Sequence, residues 1–182
     1  LLTREWVIIA KERAKRPDQF KKHDAKKRTL TEYEKNCPFC PGNEGSSEET
    51  YRIGSGKRWK IRVVKNKFPA LSEVGTKERR VEGIYRSMSG IGAHEVVIEH
   101  PKHNAFIGLM DEPDIADLIK TYRQRYMEIR KDPRIESITI FKNHGEGAGT
   151  SLEHPHSQIV ATPIVPSMIR DRIDEMVRYS DD

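Results

Sequence analysis

The chain has 182 residues, of which 35% are hydrophobic and 34% are charged, and its 33 basic and 28 acidic residues give a net charge of +5. This length suits one domain with a buried core, and the lack of a long apolar run argues against a membrane span. The basic excess favours an anionic partner such as a phosphate ester or a nucleic acid, although a solvated surface of mixed charge is the simpler interpretation.

Hydrophobic periodicity and turn residues predict the regular elements in chain order. Strands are predicted at residues 5–10, 59–66, 94–100, 137–143 and 156–163, and the first of them is expected to be buried. Helices are predicted at 111–131 and at 167–179, the first with Asp111 as its cap and Pro113 in its first turn. The apolar face of that first helix is predicted to carry Ile115, Leu118, Ile119, Tyr122, Tyr126 and Ile129.

The order of these elements predicts the fold class. Strands outnumber helices, and at least one pair of strands is joined by a loop that is too short for a crossover helix. We therefore expect an α+β fold with a mainly antiparallel sheet flanked by helices.

The two cysteines form the knuckle Cys37-Pro38-Phe39-Cys40. A thioredoxin-type redox pair normally opens a helix, whereas a turn follows here at 41–43, so this interpretation is disfavoured. Two free, buried cysteines are a second interpretation. Half of a zinc site is favoured, because a tight turn lets two thiolates converge on one tetrahedral ion. Only two cysteines, this close together, also favour a cytoplasmic protein.

A zinc site needs two further ligands, and the histidines are the candidates. They are His23, His94, His100, His103, His144, His154 and His156. His23 lies in a charged arm, and His94 and His100 bracket a strand as expected of surface residues. His103 follows that strand, at a place where it can turn toward a neighbouring loop. The sequence pattern alone does not indicate which two of these histidines are zinc ligands.

Three polar residues alternate in the segment 154–158. On one strand His154, His156 and Gln158 would share a face, with about 6.5–7 Å between successive members. One histidine can then hold a metal while the next reaches a substrate, and the glycine-rich segment 144–151 can cradle phosphate with its backbone N–H groups. The alternative is a strand whose polar groups face solvent.

Several segments together resemble a known family. The segment 141–159, FKNHGEGAGTSLEHPHSQI, resembles the active-site segment of galactose-1-phosphate uridylyltransferases and of related nucleotide-sugar phosphorylases. These enzymes are the transferase branch of the histidine-triad (HIT) superfamily. Four further segments match family motifs in the family's order: LTREWVIIAKERAKRP (2–17), CPFCPGNE (37–44), VVKNKFPAL (63–71) and HEVVIEHPKHN (94–104). The resemblance covers nearly the whole chain and implies a HIT-like fold.

The resemblance also implies roles for individual residues. His156 would be the nucleophile, and Gln158 would donate to a phosphoryl oxygen. The implied zinc ligands are Cys37, Cys40, His103 and His154. The implied substrate contacts are Asn66 and Phe68 for the nucleoside, Asn143 and Ser151 for the phosphates, and Arg13 and Arg16 near the anionic substrate. The zinc would be structural, because four protein ligands leave no open position for water.

The chain departs from the family pattern in two respects. Ser157 stands where the uridylyltransferases have glycine, and the H-x-H-S-Q form is more typical of the phosphorylase-like relatives. The family also has two similar halves, and this chain resembles the first. Residues 1–166 are therefore predicted to form an N-terminal nucleotidyltransferase domain, and residues 167–182 a helix that leads toward a second half. In some members that second half holds a second metal.

The resemblance implies a nucleotidyltransferase that works through a covalent nucleotidyl-His156 intermediate on nucleotide sugars and sugar 1-phosphates. UDP-glucose–hexose-1-phosphate uridylyltransferase of galactose metabolism is the main prediction, as a cytoplasmic homodimer. An ADP-glucose-type phosphorylase that uses inorganic phosphate is the alternative. A histidine-triad hydrolase is disfavoured, because Gln158 replaces a third alternating histidine. A zinc-stabilised nucleic-acid-binding module is disfavoured, because aromatic residues make up only 7% of the chain.

Overall fold

The computed structural model describes residues 5–11, 13, 30–56, 58–148, 150 and 152–181. The strands are β1 (Glu49–Ser55), β2 (Arg58–Lys65), β3 (Arg79–Glu82), β4 (Tyr85–Met88), β5 (Ala93–Ile98), β6 (Ser137–Phe141) and β7 (His156–Thr162), and the helices are α1 (Glu112–Ile129) and α2 (Ser167–Asp181). Short 3-10 helices occur at Glu44–Ser46, Ile107–Leu109 and Glu146–Ala148.

Five strands form one antiparallel sheet in the order β1-β2-β5-β7-β6, and β3 pairs with β4 in a separate hairpin. β7 lies between β5 and β6, so its backbone is paired on both sides. Its register places His156 opposite Ile98 of β5, and Gln158 opposite both Val96 of β5 and Phe141 of β6. The predicted α+β class and the antiparallel sheet are confirmed.

The two faces of the sheet are covered differently. On the helix face, α1 packs against a buried apolar cluster of Ile61, Val63, Val97, Leu118, Ile129, Ile159 and Ala161. On the opposite face, the cysteine knuckle packs with a second cluster of Cys37, Phe39, Cys40, Trp59, Val64, Val96 and Ile98. The knuckle therefore takes the place of a second covering helix over the middle of the sheet.

A glycine allows β5 to begin beside β7. Gly92 has φ of 151°, and a Cβ built there would collide with the carbonyl oxygen of Ala161 and contact the Leu71 side chain. Any side chain at this position would push the two strands apart.

Helix α1 confirms the predicted helix with shorter bounds. Asp111 is its N-cap residue, but its side chain makes no capping hydrogen bond. Two residues predicted on the apolar face lie outside the buried stripe, because Ile119 is 58% exposed and Tyr126 is 40% exposed. The buried Thr121, whose hydroxyl donates to the carbonyl of Asp117, lies in the stripe instead. The face of α1 that packs against the sheet is therefore not the face that carries the most apolar residues.

Other predicted elements were wrong or incomplete. Residues 5–10 form no strand, and Val7 and Ile9 are each 84% exposed, because this run has no ladder partner among the described residues. The sequence missed β1, an edge strand in which two register shifts break the alternation of side chains. It also missed β3 and β4, whose residues are almost all exposed and so show no apolar period. In the part of the chain that the structure describes, no helix has the length and apolar character needed to cross a membrane.

Candidate metal centre and catalytic cavity

Four buried side chains converge beside the start of β7. The ligand atoms of Cys37, Cys40, His103 and His154 all lie within 4.8 Å of one another. His154 Nδ1 is 3.7 Å from Cys37 Sγ and 3.6 Å from Cys40 Sγ, and His103 Nδ1 is 3.6 Å from Cys40 Sγ. A tetrahedral zinc ion with ordinary Zn–S and Zn–N bonds separates S and N by about 3.5 Å, so this donor set fits such an ion.

The cysteine knuckle is shaped by turns. The N–H of Cys40 donates to the carbonyl of Cys37, and the N–H of Asn43 donates to that of Cys40, so the chain turns twice without forming a helix. The N–H of Phe39 points at Cys37 Sγ, and that of Glu34 points at Cys40 Sγ, each at 3.4 Å. Burial raises the pKa of Cys37 to about 11. A bound cation would therefore be needed to keep this sulfur a thiolate at neutral pH. The turns that follow the knuckle, where a redox pair would open a helix, argue against the redox interpretation.

The two histidine ligands are held by backbone atoms. The Nε2–H of His154 donates to the carbonyl of His100 at 2.8 Å, which leaves the Nδ1 lone pair facing the two sulfurs. Burial lowers the pKa of His154 to about 4, so the ring is neutral, as a metal ligand must be. The backbone N–H of His103 donates to the carbonyl of Glu32, which ties the segment after β5 to the segment before the knuckle.

The alternating segment is not one continuous strand. β7 begins at His156, and His154 precedes it, separated by Pro155. The prediction that His154 shares the strand face with His156 and Gln158 was therefore wrong. The proline has no N–H for a ladder, but its carbonyl accepts from Glu99 N–H at 3.1 Å. This break lets His154 turn into the metal cluster while His156 stays in the sheet.

The ring of His156 has a defined tautomer. Its Nδ1 lies 2.8 Å from the carbonyl oxygen of His154, which can only accept, so in the neutral ring Nδ1 carries the proton and Nε2 the lone pair. The ring is 9% exposed and meets the edge of Phe39, with the ring centroids 5.5 Å apart. A metal ligand and the candidate nucleophile are thus joined by one hydrogen bond across three residues of chain.

A cavity of about 650 Å³ lies over this face of the sheet. It brings together six of the eight residues predicted for catalysis and substrate binding: Arg13, Asn66, Phe68, Asn143, His156 and Gln158. The other two, Arg16 and Ser151, lie outside the described residues. Among the described residues that line the cavity, Arg13, Lys65 and Lys67 are basic and none is acidic, so its charge suits an anion.

Two residues that sequence reasoning missed belong to this cavity. His94 was interpreted as a surface residue, yet it is 6% exposed and contacts both Asn66 and Gln158. Thr150 lines the cavity with a buried hydroxyl oxygen, and no hydrogen-bond partner for this oxygen is found in the described structure. Only the pairing of β5 with β7 puts His94 here, and no local signal in the sequence shows that pairing.

Comparison with known proteins agrees with this architecture. The sequence model described as the N-terminal domain of galactose-1-phosphate uridyl transferase matches residues 1–166. The chain belongs to this family.

Both branches of the family are among its relatives. It is 37% identical over 182 residues to an ADP-glucose phosphorylase of Arabidopsis thaliana, covering 98% of this chain and 51% of that protein. It is 30% identical over 182 residues to a galactose-1-phosphate uridylyltransferase of Thermotoga maritima, covering 98% and 50%. The chain therefore spans about half the length of the curated relatives it matches.

A solved structure shares the fold. The crystal structure of an Arabidopsis thaliana ADP-glucose phosphorylase with bound ADP-glucose superimposes with a TM-score of 0.73 at 34% identity, over 85% of this chain and 48% of that one. A family of enzymes is thus established for this chain, and its fold is shared with about half of a relative crystallised with bound ADP-glucose.

Proposed function

We propose that the protein is a nucleotidyltransferase that moves a nucleoside monophosphate from a nucleotide sugar through a covalent intermediate on His156. The observation that carries this proposal is the hydrogen bond from His156 Nδ1–H to the carbonyl of His154. In the neutral ring this bond leaves the lone pair on Nε2, and His156 lines a cavity whose described charged residues are all basic. A neutral imidazole is a competent nucleophile near neutral pH without a strong base.

The first step exchanges one bond to phosphorus for another. His156 Nε2 attacks the α-phosphorus and forms an N–P bond, while the bond from that phosphorus to the bridging oxygen breaks and sugar 1-phosphate leaves. In the second step a phosphate oxygen of the acceptor attacks the same phosphorus and displaces Nε2. A hexose 1-phosphate acceptor yields a new nucleotide sugar, and inorganic phosphate yields a nucleoside diphosphate.

The cavity supplies the positioning and charge stabilisation that phosphoryl-type transfer requires. Gln158 and Asn143 would bind non-bridging oxygens, together with Ser151 of the same glycine-rich segment. The hydroxyl of Thr150, for which the described residues offer no partner, would gain an acceptor from the same phosphate. Asn66 and Phe68 would contact the nucleoside, and Arg13 with Arg16 would neutralise the diphosphate.

We propose zinc as the ion that Cys37, Cys40, His103 and His154 hold. Two thiolates and two imidazoles are a typical structural zinc set, and four protein ligands leave no position for a reacting water. When bound, the ion supplies rigidity rather than acid chemistry. Because His154 would be both a ligand and the acceptor for His156 Nδ1–H, fixing His154 also aims His156.

UDP-glucose–hexose-1-phosphate uridylyltransferase remains the main proposal for the reaction, since several curated relatives, the protein from Thermotoga maritima among them, are named galactose-1-phosphate uridylyltransferase. A specific observation favours the alternative of an ADP-glucose phosphorylase. Ser157 occupies the position where the uridylyltransferases have glycine, and the Arabidopsis thaliana phosphorylase is 37% identical to this chain against 30% for the uridylyltransferase from Thermotoga maritima. The homodimer and the cytoplasmic location stay predictions.

The experiment that separates these reactions is intact-protein mass spectrometry after mixing with UDP-glucose or, separately, ADP-glucose. We expect an adduct of one nucleoside monophosphate, whose mass identifies the base. Adding galactose 1-phosphate or inorganic phosphate to the isolated adduct then identifies the acceptor by which of them discharges it. Discharge by water alone would instead indicate a hydrolase.

His156→Ala is the matched variant. It should form no adduct and keep its metal, because His156 is not one of the four converging ligands. If the metal content fell as far as the activity, the roles of His154 and His156 would be reversed. If the metal-loaded wild-type protein formed no adduct with either nucleotide sugar, the proposed chemistry would be rejected.

A further inference from the structure

His94 lies in β5 with 6% of its surface exposed, and both of its ring nitrogens are engaged. Nδ1 is 3.0 Å from the backbone nitrogen of Ala70, and Nε2 is 2.8 Å from Oε1 of Gln158. Asn66 Nδ2 is also 3.0 Å from Nε2. The imidazole thus bridges the segment after β2 to the functional side chain of β7.

The backbone of Ala70 decides which nitrogen of His94 carries the proton. A backbone N–H can only donate, so Nδ1 must accept and the proton of the neutral ring lies on Nε2. Nε2–H then donates to Oε1 of Gln158. The contact with Asn66 becomes a close approach of two donors, since the Asn66 carbonyl oxygen is occupied by the N–H of Phe68.

This tautomer fixes the orientation of the Gln158 amide. A glutamine side chain can present either its oxygen or its NH₂ group to a ligand. With the oxygen accepting from His94, the NH₂ group is the end left for the cavity that Gln158 lines. The opposite orientation would place a carbonyl oxygen against the phosphoryl oxygens and repel them.

We propose that His94 is a positioning residue, which holds Gln158 with its NH₂ group toward the cavity so that it donates to the transferred phosphoryl group. The mechanistic half of this inference rests on the proposed function, whereas the hydrogen-bond chain from Ala70 through His94 to Gln158 does not. His94 itself acts only through Gln158.

The electrostatic surroundings keep the ring in the required neutral form. Burial lowers the pKa of His94, the bond to Gln158 opposes this, and the charge of Arg13 lowers the pKa further. Protonation would place a second N–H against the Ala70 N–H and break the first link of the chain. The neutral tautomer is therefore the resting state near neutral pH.

Two variants of His94 test the roles of its two ring nitrogens separately. His94→Gln keeps an NH₂ donor near the place of Nε2, whereas His94→Asn keeps a polar atom near the place of Nδ1 and loses the donor. We expect His94→Asn and His94→Phe to slow adduct formation by about 10- to 100-fold, mainly in the rate and little in KM, as for other orienting partners. His94→Gln should recover most of that rate.

A double-mutant cycle shows whether His94 works through Gln158. Gln158→Ala should slow adduct formation by about 10²–10³-fold, the loss typical of one oxyanion donor. Adding His94→Phe should then cause no further loss, because the group that it orients is gone. Independent, multiplying losses would overturn the inference, since a merely structural His94 would damage the site whether or not Gln158 were present.

Long-range ¹H–¹⁵N spectra of histidine-labelled protein provide a test without turnover, with the His94 signals assigned by their loss in His94→Gln. We expect the pattern of a neutral ring protonated at Nε2. Protonation at Nδ1 would mean that Asn66 donates to Nε2 and would overturn the inference. If wild-type protein formed no nucleotidyl adduct, the proposed function would fail, and this tautomer measurement alone would decide the role of His94.

Discussion

The two faces of β7 carry out different tasks with different interactions. On the helix face, Ile159 and Ala161 are fully buried in the apolar cluster under α1. On the cavity face, His156 bonds to the His154 carbonyl and Gln158 bonds to His94. Apolar burial is non-directional and tolerates small shifts, whereas each polar bond sets one atom of the site. One face therefore holds the sheet together and the other aims the chemistry.

The two faces also differ in the kind of segment that forms them. The helix-face cluster is built from regular elements with their own apolar pattern. The cavity face depends on Cys37, Cys40 and His103, which meet His154 only in the folded protein. We therefore expect the cavity face to depend on the metal and the helix face to be largely independent of it.

The largest effect is expected from removing a metal ligand. Cys40→Ser should abolish metal binding and adduct formation together, because metal binding supplies on the order of 10 kcal/mol in small structural zinc sites. The knuckle also forms the core over this face of the sheet. Metal content, thermal unfolding and adduct mass measured on the same preparation test this, and the far-ultraviolet circular dichroism should retain the signal of α1.

The comparison would fail if metal-free Cys40→Ser formed the adduct at the wild-type rate. That result would mean that protein packing alone holds His154 and His156. Ser47→Ala is a suitable control, since Ser47 lines the same cavity without contributing a ligand. It should keep both the metal and the unfolding temperature of the wild type.

On the helix face, Ile159→Ala should chiefly affect stability. Ile159 is fully buried between the sheet and α1, and truncating such a side chain typically costs about 2–5 kcal/mol. Urea unfolding gives the change in the free energy of unfolding. The metal content and the rate of adduct formation should stay near wild type at temperatures where the variant is folded.

The matched control for this change is Val160→Ala, one residue along the same strand. Val160 is half-buried and faces the cavity, so we expect a smaller loss of stability. If Val160→Ala destabilised the protein more than Ile159→Ala, the assignment of the main core to the helix face would be wrong.

The sequence predicted the elements whose signals are local. Helix α1, the strands β2, β5, β6 and β7, and helix α2 all follow from apolar periods, and turn residues marked the knuckle. It missed β1 and the β3–β4 hairpin, because exposed or shifted edges show no period. The spacing of the two cysteines in a tight turn was enough to predict half of a metal site.

The remaining site residues could not be derived from local signals. Choosing His103 and His154 among seven histidines required the family resemblance, since their approach depends on long-range packing. The structure brings these ligands together as the resemblance implies. The inward direction of His94 depends on the pairing of β5 with β7, and the break at Pro155 removes His154 from the strand, so neither was visible in the alternation of residues.

The smallest effect is expected where the two faces meet. The hydroxyl of Tyr122 in α1 is 2.8 Å from Ser157 Oγ and 3.5 Å from Glu99 Oε1. Glu99 accepts from Lys142 at 2.5 Å, and Lys142 Nζ also lies 3.3 Å from the carbonyl oxygen of His156. A polar chain thus runs from the helix to the backbone of the candidate nucleophile, and it is the route by which the helix face can influence the cavity face.

Tyr122→Phe should lower the free energy of unfolding by about 1–2 kcal/mol, because it leaves the buried Ser157 hydroxyl without this partner. Ser157→Ala should lower the free energy of unfolding by a similar amount. The double variant should lose less than the sum of the two, because both hydroxyls are then removed and neither is left buried without its partner. If the faces are independent, adduct formation stays near wild type in all three variants. A fall of about tenfold in Tyr122→Phe, equal to 1.4 kcal/mol in the barrier, would show instead that the helix also aims His156.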